Sequence, residues 1–441
     1  MSTVPAAPPE VKIPTRKVLA WGAWDWGSSA FNAVATTFVF TVYLTGKSFG
    51  DTDHTSALLG WALGVAGVLV ALTAPATGEL TDAAGRRKLW LAVFSALVAL
   101  CLLATVFVKA EPGYLWLGIG AVAVGTIFYE LAAVNYNAML TQVSTPKTIG
   151  KVSGLGWGLG YVGGIVLLLI VYVGFISGDG GLFHVSTDGG WNVRVSMLVA
   201  TVWFAVFAVP VLLAVHENRA PAAVARERSS FFGAYATLFR TIRGLWQESR
   251  NTVWFLLASA IFRDGLTGVF TFGGVLAAGS FGFSSGGVIV FAIAANIVAG
   301  VATIATGALD DRLGPKPVIV TSLIGLVIAG ALVFLLHDGG QIMFWIFGLI
   351  LCLFVGPAQS ASRTFLARLI PEGREGEVFG LYATTGRAAT FLAPTAFALF
   401  VDLGGKQIYG VIGIVLVLLI GLLVMLPVKP GGAKLAGRQP V

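Results

Sequence analysis

Twelve apolar stretches, each long enough to cross a hydrocarbon core that takes about 20 helical residues, leave this 441-residue chain little freedom of fold. Cut at their charged or Gly/Pro-rich flanks, they run 19–44, 56–78, 89–109, 113–141, 152–176, 194–215, 251–277, 284–308, 317–336, 341–368, 377–401 and 407–427. With 56% hydrophobic and only 11% charged residues, a water-soluble fold could not cover itself. The chain is read as an all-α integral membrane protein of twelve transmembrane helices. The first 18 residues are Pro-rich and polar, carry Glu10, Lys12, Arg16 and Lys17, and offer no small-residue cleavage site, so no cleaved signal peptide is expected. Cys101 and Cys352 fall inside the third and tenth segments, which excludes a disulfide framework or a Cys-ligated metal.

A net charge of +7 could suggest nucleic acid, but the positions of the charges argue otherwise. With the N-terminus cytoplasmic, 21 of the 28 Lys and Arg lie in cytoplasmic segments. Four (Lys47, Lys109, Arg194, Lys406) lie outside and three (Arg263, Arg363, Arg387) within the membrane. This bias fixes the orientation, and the even helix number returns both ends to the cytoplasm, as for a protein of the plasma (inner) membrane. The loop from His216 to Arg250 holds six Arg and reads as an amphipathic linker lying on anionic lipid.

The chain is also a repeat. Gly78, Leu80, Asp82, Gly85, Arg86 and Arg87 recur 229 residues later as Gly307, Leu309, Asp311, Gly314, Pro315 and Lys316. At a displacement of 226, Leu140, Val152 and Gly154 match Leu366, Val378 and Gly380, while Asp25 and Phe31 correspond to Asp264 and Phe270. Two pseudosymmetric six-helix bundles, 19–215 and 251–427, are therefore expected, joined by the 216–250 linker and flanked by tails 1–18 and 428–441. The doubled loop pattern reads as a tight turn: glycines for a sharp helix exit, an Asp accepting from free amides at a helix N-terminus, and cations in the headgroup layer.

Charge at the bilayer centre costs about 3 kcal/mol or more, so each charge retained there is a functional-site hypothesis. Six qualify: Asp25, Glu130, Asp264, Arg263, Arg363 and Arg387. Three acids match three bases, so mutual pairing could neutralise the interior. Asp25, Ser28, Asn32 and Thr36 form a polar stripe on the first segment; Thr126, Glu130, Asn137 and Thr141 do so on the fourth. Asp264, Thr267 and Thr271 mark the seventh, Gln359 and Arg363 the tenth. These are equivalent helices of the three-helix units, so the stripes fall where a central water-filled pathway would be lined. Asp264, Glu130 and Arg387 sit nearest the midplane. Asp25 and Arg363 lie in the cytoplasmic third, suited to a gate salt bridge or to binding. Adjacent Arg263 and Asp264 point about 100° apart, and Arg263 reads as a structural pair with another helix. Trp21, Trp24 and Trp26 are expected to anchor the interface as an aromatic belt. Tyr161, the 226-displaced counterpart of Arg387, and Trp157 one turn before it could offer an aromatic face to a ligand.

Two motifs mislead. Gly46, Lys47 and Ser48 end like a phosphate loop, but Thr41 stands where its first glycine belongs. Gly158, Gly160 and Gly163 spell a dinucleotide fingerprint inside a spanning segment, where close helix packing explains them. The four histidines (His54, His184, His216, His337) are scattered in loops, so no metal cluster, catalytic triad or cofactor site is expected and the chain is not read as an enzyme.

The doubled loop and twelve segments resemble the major facilitator superfamily from about residue 19 to 427. Trp24, Asp25 and Trp26 with Ser29, Ala30 and Phe31; Tyr136, Asn137 and Ala138; Ser362 and Arg363 with Leu369, Ile370 and Pro371; and Phe379, Gly380, Leu381 and Tyr382 are similar to the branch containing the autophagy-related vacuolar amino-acid effluxer and its bacterial relatives. The resemblance implies a rocker-switch secondary carrier whose loop motif helps to hold a cytoplasmic gate: Gly78, Asp82, Gly85, Arg86 and Arg87, with Gly307, Asp311, Arg312 and Gly314. Ala83 replaces the basic residue that Arg312 supplies in the second copy, which implies weaker gate contacts at the first loop. The expected activity is alternating-access transport of a small polar or zwitterionic, amino-acid-like solute by a monomer, with protons and membrane lipids as the other partners. Glu130 or Asp264 would carry the proton, and a solute carboxylate on Arg387 would release that acid. Proton-coupled drug or sugar efflux, or a non-transporting sensor or scramblase, are the alternatives.

Overall fold

A computed structural model of the chain describes residues 13–84, 86–144, 149–215, 231–369 and 375–429. All its regular elements are helical among the described residues. Eleven spans are long and apolar enough to cross a membrane: 52–74, 87–105, 112–138, 154–176, 188–214, 250–279, 285–306, 315–335, 337–369, 378–404 and 407–425. The twelfth is the first in the chain, where Thr15–Ser29 passes into a π-helical stretch, Ala30–Phe38, and ends in Phe40–Leu44. The sequence predicts one continuous helix here. Thr36 and Thr37 instead both donate to the Asn32 carbonyl, at 2.9 and 2.6 Å, which competes with the regular α-helical bond and widens the turn.

The eleventh span also breaks, into Glu375–Ala388 and Leu392–Gly404, where 377–401 reads as unbroken. Pro394 has no N–H for the Thr390 carbonyl and disfavours helical geometry at Ala393, so the chain restarts its helix with proline in the first turn.

The expected turn after the second span is shorter than its motif. The helix Thr52–Ala84 carries Gly78 and Asp82 within it, and Ser285–Leu313 carries Gly307, Asp311 and Arg312. The polar segment that marks the end of the apolar run is still a good helix former, so the helix continues beyond the hydrocarbon. Gly314, at φ 86°, makes the turn into Pro315–Leu335. Gly85 and the side chains of Asp82, Asp311 and Thr141 lie outside the described residues. Arg86 and Arg312 are exposed, and Arg87 Nη1 donates to the Ala138 carbonyl at the end of the fourth span, at 3.2 Å, a favourable place for a cation.

Of the linker, residues 216–230 lie outside the described part; Phe231–Glu248 is a helix. Leu238, Ile242 and buried Leu245 pack against the bundle core while Arg240 and Arg243 are exposed. Tyr235 Oη donates to the Leu72 carbonyl on the second span.

The two halves meet tightly along the second and eleventh spans, from the end beside the first loop to mid-span. A Cβ on Gly60 would lie 2.9 Å from the Ala398 Cβ, and one on Gly67 would lie 2.7 Å from the Phe391 Cα, so small residues on the second span bring it against the eleventh. Trp61 Nε1 donates to Asp402 Oδ2 at 2.6 Å, Gln407 Nε2 donates to Ser56 Oγ at 2.8 Å, and the Gln407 amide donates to Asp53. On the neighbouring seam, Gly274 of the seventh span sits against the Thr37 carbonyl of the first. Gly160 and Gly163 pack on the first span, with a Cβ on Gly163 only 2.7 Å from the Trp26 carbonyl oxygen, whereas Gly158 borders open space.

Candidate functional site

The first span places its polar residues against aromatic rings of the fourth. Asp25 Oδ2 accepts from Tyr136 Oη at 2.8 Å, and Asn32 Nδ2 donates to Tyr129 Oη at 2.7 Å. Tyr136 is sandwiched between Trp21 and Trp24, with centroids 4.5 and 4.4 Å away, and Tyr129 stacks on Phe31 at 5.2 Å. Trp21 and Trp24 are 2% and 1% exposed, and their indole N–H groups donate to the Tyr136 carbonyl and Ser95 Oγ. They are bundle core rather than the interfacial belt that their position suggests. The reason is Asp25, whose carboxylate draws Tyr136 inward and leaves its ring to be covered from both sides. Trp26 stacks on Trp203 at 5.9 Å.

Ser28 is buried and turned back onto the Asp25 carbonyl at 2.8 Å. Asn32, Asn137 and Thr267 are exposed, and Gln359 and Tyr161 are half-buried. The stripe on the first span is therefore not one polar face, because the π-helical stretch changes the phase after Ala30.

The six intramembrane charges do not pair three with three. Among the described residues one ion pair forms between them, Arg387 Nε to Glu130 Oε2 at 3.2 Å, joining the eleventh span to the fourth across the two halves. Arg263 takes an aromatic partner: its guanidinium lies 4.1 Å from the Tyr382 ring centre and donates to the Tyr382 carbonyl at 3.2 Å. Arg363 also lies on a ring, that of Trp157 in the opposite half, 4.6 Å from its centre. Asp25 and Arg363, suited by depth to a gate salt bridge or to binding, form no ion pair here; Asp25 accepts from Tyr136. Trp157 does offer its face, to the protein's own arginine.

Asp264 is 4% exposed, and its carboxylate accepts from the backbone N–H of Ala393. It caps the second piece of the broken eleventh span, an interaction worth about 1 kcal/mol for an Asp-type cap. Asp264→Ala should therefore lower stability by about 1–2 kcal/mol, read as a fall in unfolding temperature in detergent. Asp264→Asn, which keeps an acceptor, should retain most of it; equal losses in the two variants would remove the cap from the account.

Tyr136, Tyr129, Ser362 and Tyr382 are the site residues that sequence reasoning missed. Ser362 Oγ and Tyr382 Oη are 2.7 Å apart and buried. A signal was available: Tyr136 and Ser362 are equivalent under the 226 displacement, each one residue before a residue selected as polar lining.

Twelve spans in two repeated halves, sealed against one another at one end and carrying charge at their common interface, define a transporter of the major facilitator type. The chain matches the model described as "Vacuole effluxer Atg22 like" over residues 41–434, and it belongs to that family. It is 23% identical to the Bacillus subtilis protein called an uncharacterized MFS-type transporter, YxiO, over 93% of this chain and 94% of that one. It is 22% identical to autophagy-related protein 22 of Yarrowia lipolytica, over 69% of this chain and 55% of the relative. Among solved structures, a D-xylose-proton symporter superposes with a TM-score of 0.67 at 14% identity over 95% of this chain and 97% of that one. The nucleoside transporter NupG gives 0.60 at 13% identity over 94% and 100%. At these identities the structures share the fold.

Proposed function

We propose that the chain is a secondary active transporter of a small polar or zwitterionic, amino-acid-like solute, working by alternating access as a monomer and coupled to protons. The observation that carries this reading is the Glu130–Arg387 pair. It is the one ion pair between the halves at mid-depth among the described residues, and its two side chains remain 25% and 13% exposed, within reach of water. The seams at Gly60–Ala398 and Gly274–Thr37 are closed; in this reading they are the outer gate, and the closed form is the one that exchanges solute with the cytoplasmic side. Binding between the halves and parting of the outer seam are the two halves of a transport cycle. The rigid bodies are the bundles 19–215 and 251–427, held by the 216–250 linker on the cytoplasmic leaflet of the plasma membrane, with both tails cytoplasmic. The repeated Gly78–Arg87 and Gly307–Gly314 motifs would form the cytoplasmic gate when the outer end opens. Efflux fits the family's description, and acid and base at similar depth suit an amine and a carboxylate.

Counterflow of labelled amino acids in proteoliposomes tests the reading. Saturable exchange of at least one amino acid is expected. Transport of only sugars or lipophilic drugs would overturn the substrate class, and absence of any solute-dependent flux would leave a sensor or scramblase on the same scaffold.

A further inference from the structure

The second half carries three arginines within its spans, two of them on partners in the first half, and their partners are unequal. Arg387 has Glu130. Arg263 has one carbonyl and an aromatic face. Arg363 is half-buried and, among the described residues, makes no hydrogen bond or ion pair within contact distance; its guanidinium lies over the Trp157 ring, with the Asp25 carboxylate in its neighbourhood. A guanidinium presents five N–H donors in a rigid fork, and leaving them unanswered in a partly desolvated site is costly. The nearby acids are committed: Asp25 to Tyr136 and Asp264 to the Ala393 amide.

Arg263 and Arg363 are also brought together rather than merely both present. Tyr382 carries Arg263 on its ring and reaches Ser362, the neighbour of Arg363, with its hydroxyl. Gly386 makes room for the arrangement, since a Cβ there would lie 2.9 Å from Arg263 Nη1. Each guanidinium lies against an aromatic ring, and the donors it does not spend on the protein can meet a two-oxygen anion.

We propose that Arg263 and Arg363 together bind the carboxylate of the transported solute, while Arg387 is reserved for Glu130. This rests on the transport reading above but concerns which group is recognised and by which residues. It differs from the sequence expectation, which gave the solute carboxylate to Arg387.

The test is thermal stabilisation of the purified full-length protein in lipid-free detergent by each of the common amino acids, its carboxamide and its decarboxylated amine, with proteoliposome counterflow run in parallel. At least one free amino acid is expected to stabilise, its amide and amine much less. Arg363→Gln and Arg263→Gln should each weaken that response by about tenfold or more, as for loss of a charged hydrogen bond. Arg363→Lys, which keeps the charge but not the fork, should fall between Gln and wild type. If the Gln variants do not run as single species on size exclusion, the Lys variants carry the comparison. Amides that bind as well as acids, no stabilisation by any member, or Arg variants that bind like wild type would overturn the assignment. Repeating the titration with phosphatidylglycerol and then phosphatidylcholine added separates a lipid headgroup from a solute: loss of the amino-acid response with only the anionic lipid would assign the site to lipid and overturn the proposal. Acid-selective binding without flux would leave the anion site standing and remove the transport reading instead.

Discussion

Gly67→Leu is expected to abolish transport while leaving a folded protein. At this position the second span approaches the backbone of the eleventh so closely that a Cβ would meet the Phe391 Cα at 2.7 Å, and backbone cannot rotate aside as a side chain can. Overpacking of this kind costs about 1–3 kcal/mol. In the transport cycle proposed above the contact exists only while the outer end is closed, so the cost falls on one state. An equilibrium between the two states would move by about fivefold to 150-fold toward the outer-open one. The measurement is labelling of Ser56→Cys by a membrane-impermeant maleimide from outside. Ser56 is fully buried here beneath Gln407. Labelling should be slow on the otherwise unaltered background and fast with Gly67→Leu, in parallel with lost counterflow. Normal transport and slow labelling in the double variant would mean that the seam yields locally and is not the outer gate.

The fold was legible because the apolar runs and their charged flanks are local signals. The second span ran on to Ala84 because hydropathy marks the hydrocarbon and not the helix. The break at 389–391 was visible in principle, since Pro394 stood in the segment, but its stabilisation was not. The acid that caps it is Asp264, 129 positions away, and no spacing rule links them. The same limit applied to charge. Sequence gave the depth of each ionisable residue and not the azimuth at which it meets another helix. Glu130 and Arg387 found each other, whereas Arg263 and Arg363 turned to Tyr382 and Trp157. Trp21 and Trp24 were misplaced for a related reason: tryptophan near a helix end usually serves the interface, and only Tyr136 bound to Asp25 explains why these two turn inward.

Glu130→Gln is expected to abolish accumulation driven by a pH gradient while preserving exchange of solute for solute. The pair spans the two halves at mid-depth, so the charge on Glu130 decides whether Arg387 ties them together. In the proposed cycle a proton on the carboxyl removes the ionic tie, and the halves are freer to part. When it is ionised the tie forms again. A glutamine cannot change charge, so the tie ceases to report proton concentration. It can still accept a hydrogen bond from Arg387, which is why solute exchange should survive within a few-fold. Arg387→Gln isolates the other member. It leaves a carboxylate without its cation, a change that costs about 3–5 kcal/mol for a fully buried pair and less here, where Glu130 keeps 25% exposure. Protonation of Glu130 then no longer breaks an ionic tie, so this variant should also lose pH-driven accumulation, with a lower unfolding temperature than Glu130→Gln. The decisive measurement is uptake into proteoliposomes under an imposed pH gradient beside counterflow in the same vesicles. Full accumulation by Glu130→Gln would make the pair a structural tie and place proton coupling at another residue. Loss of both accumulation and exchange would show that Glu130 is needed for the conformational change itself, independent of its proton.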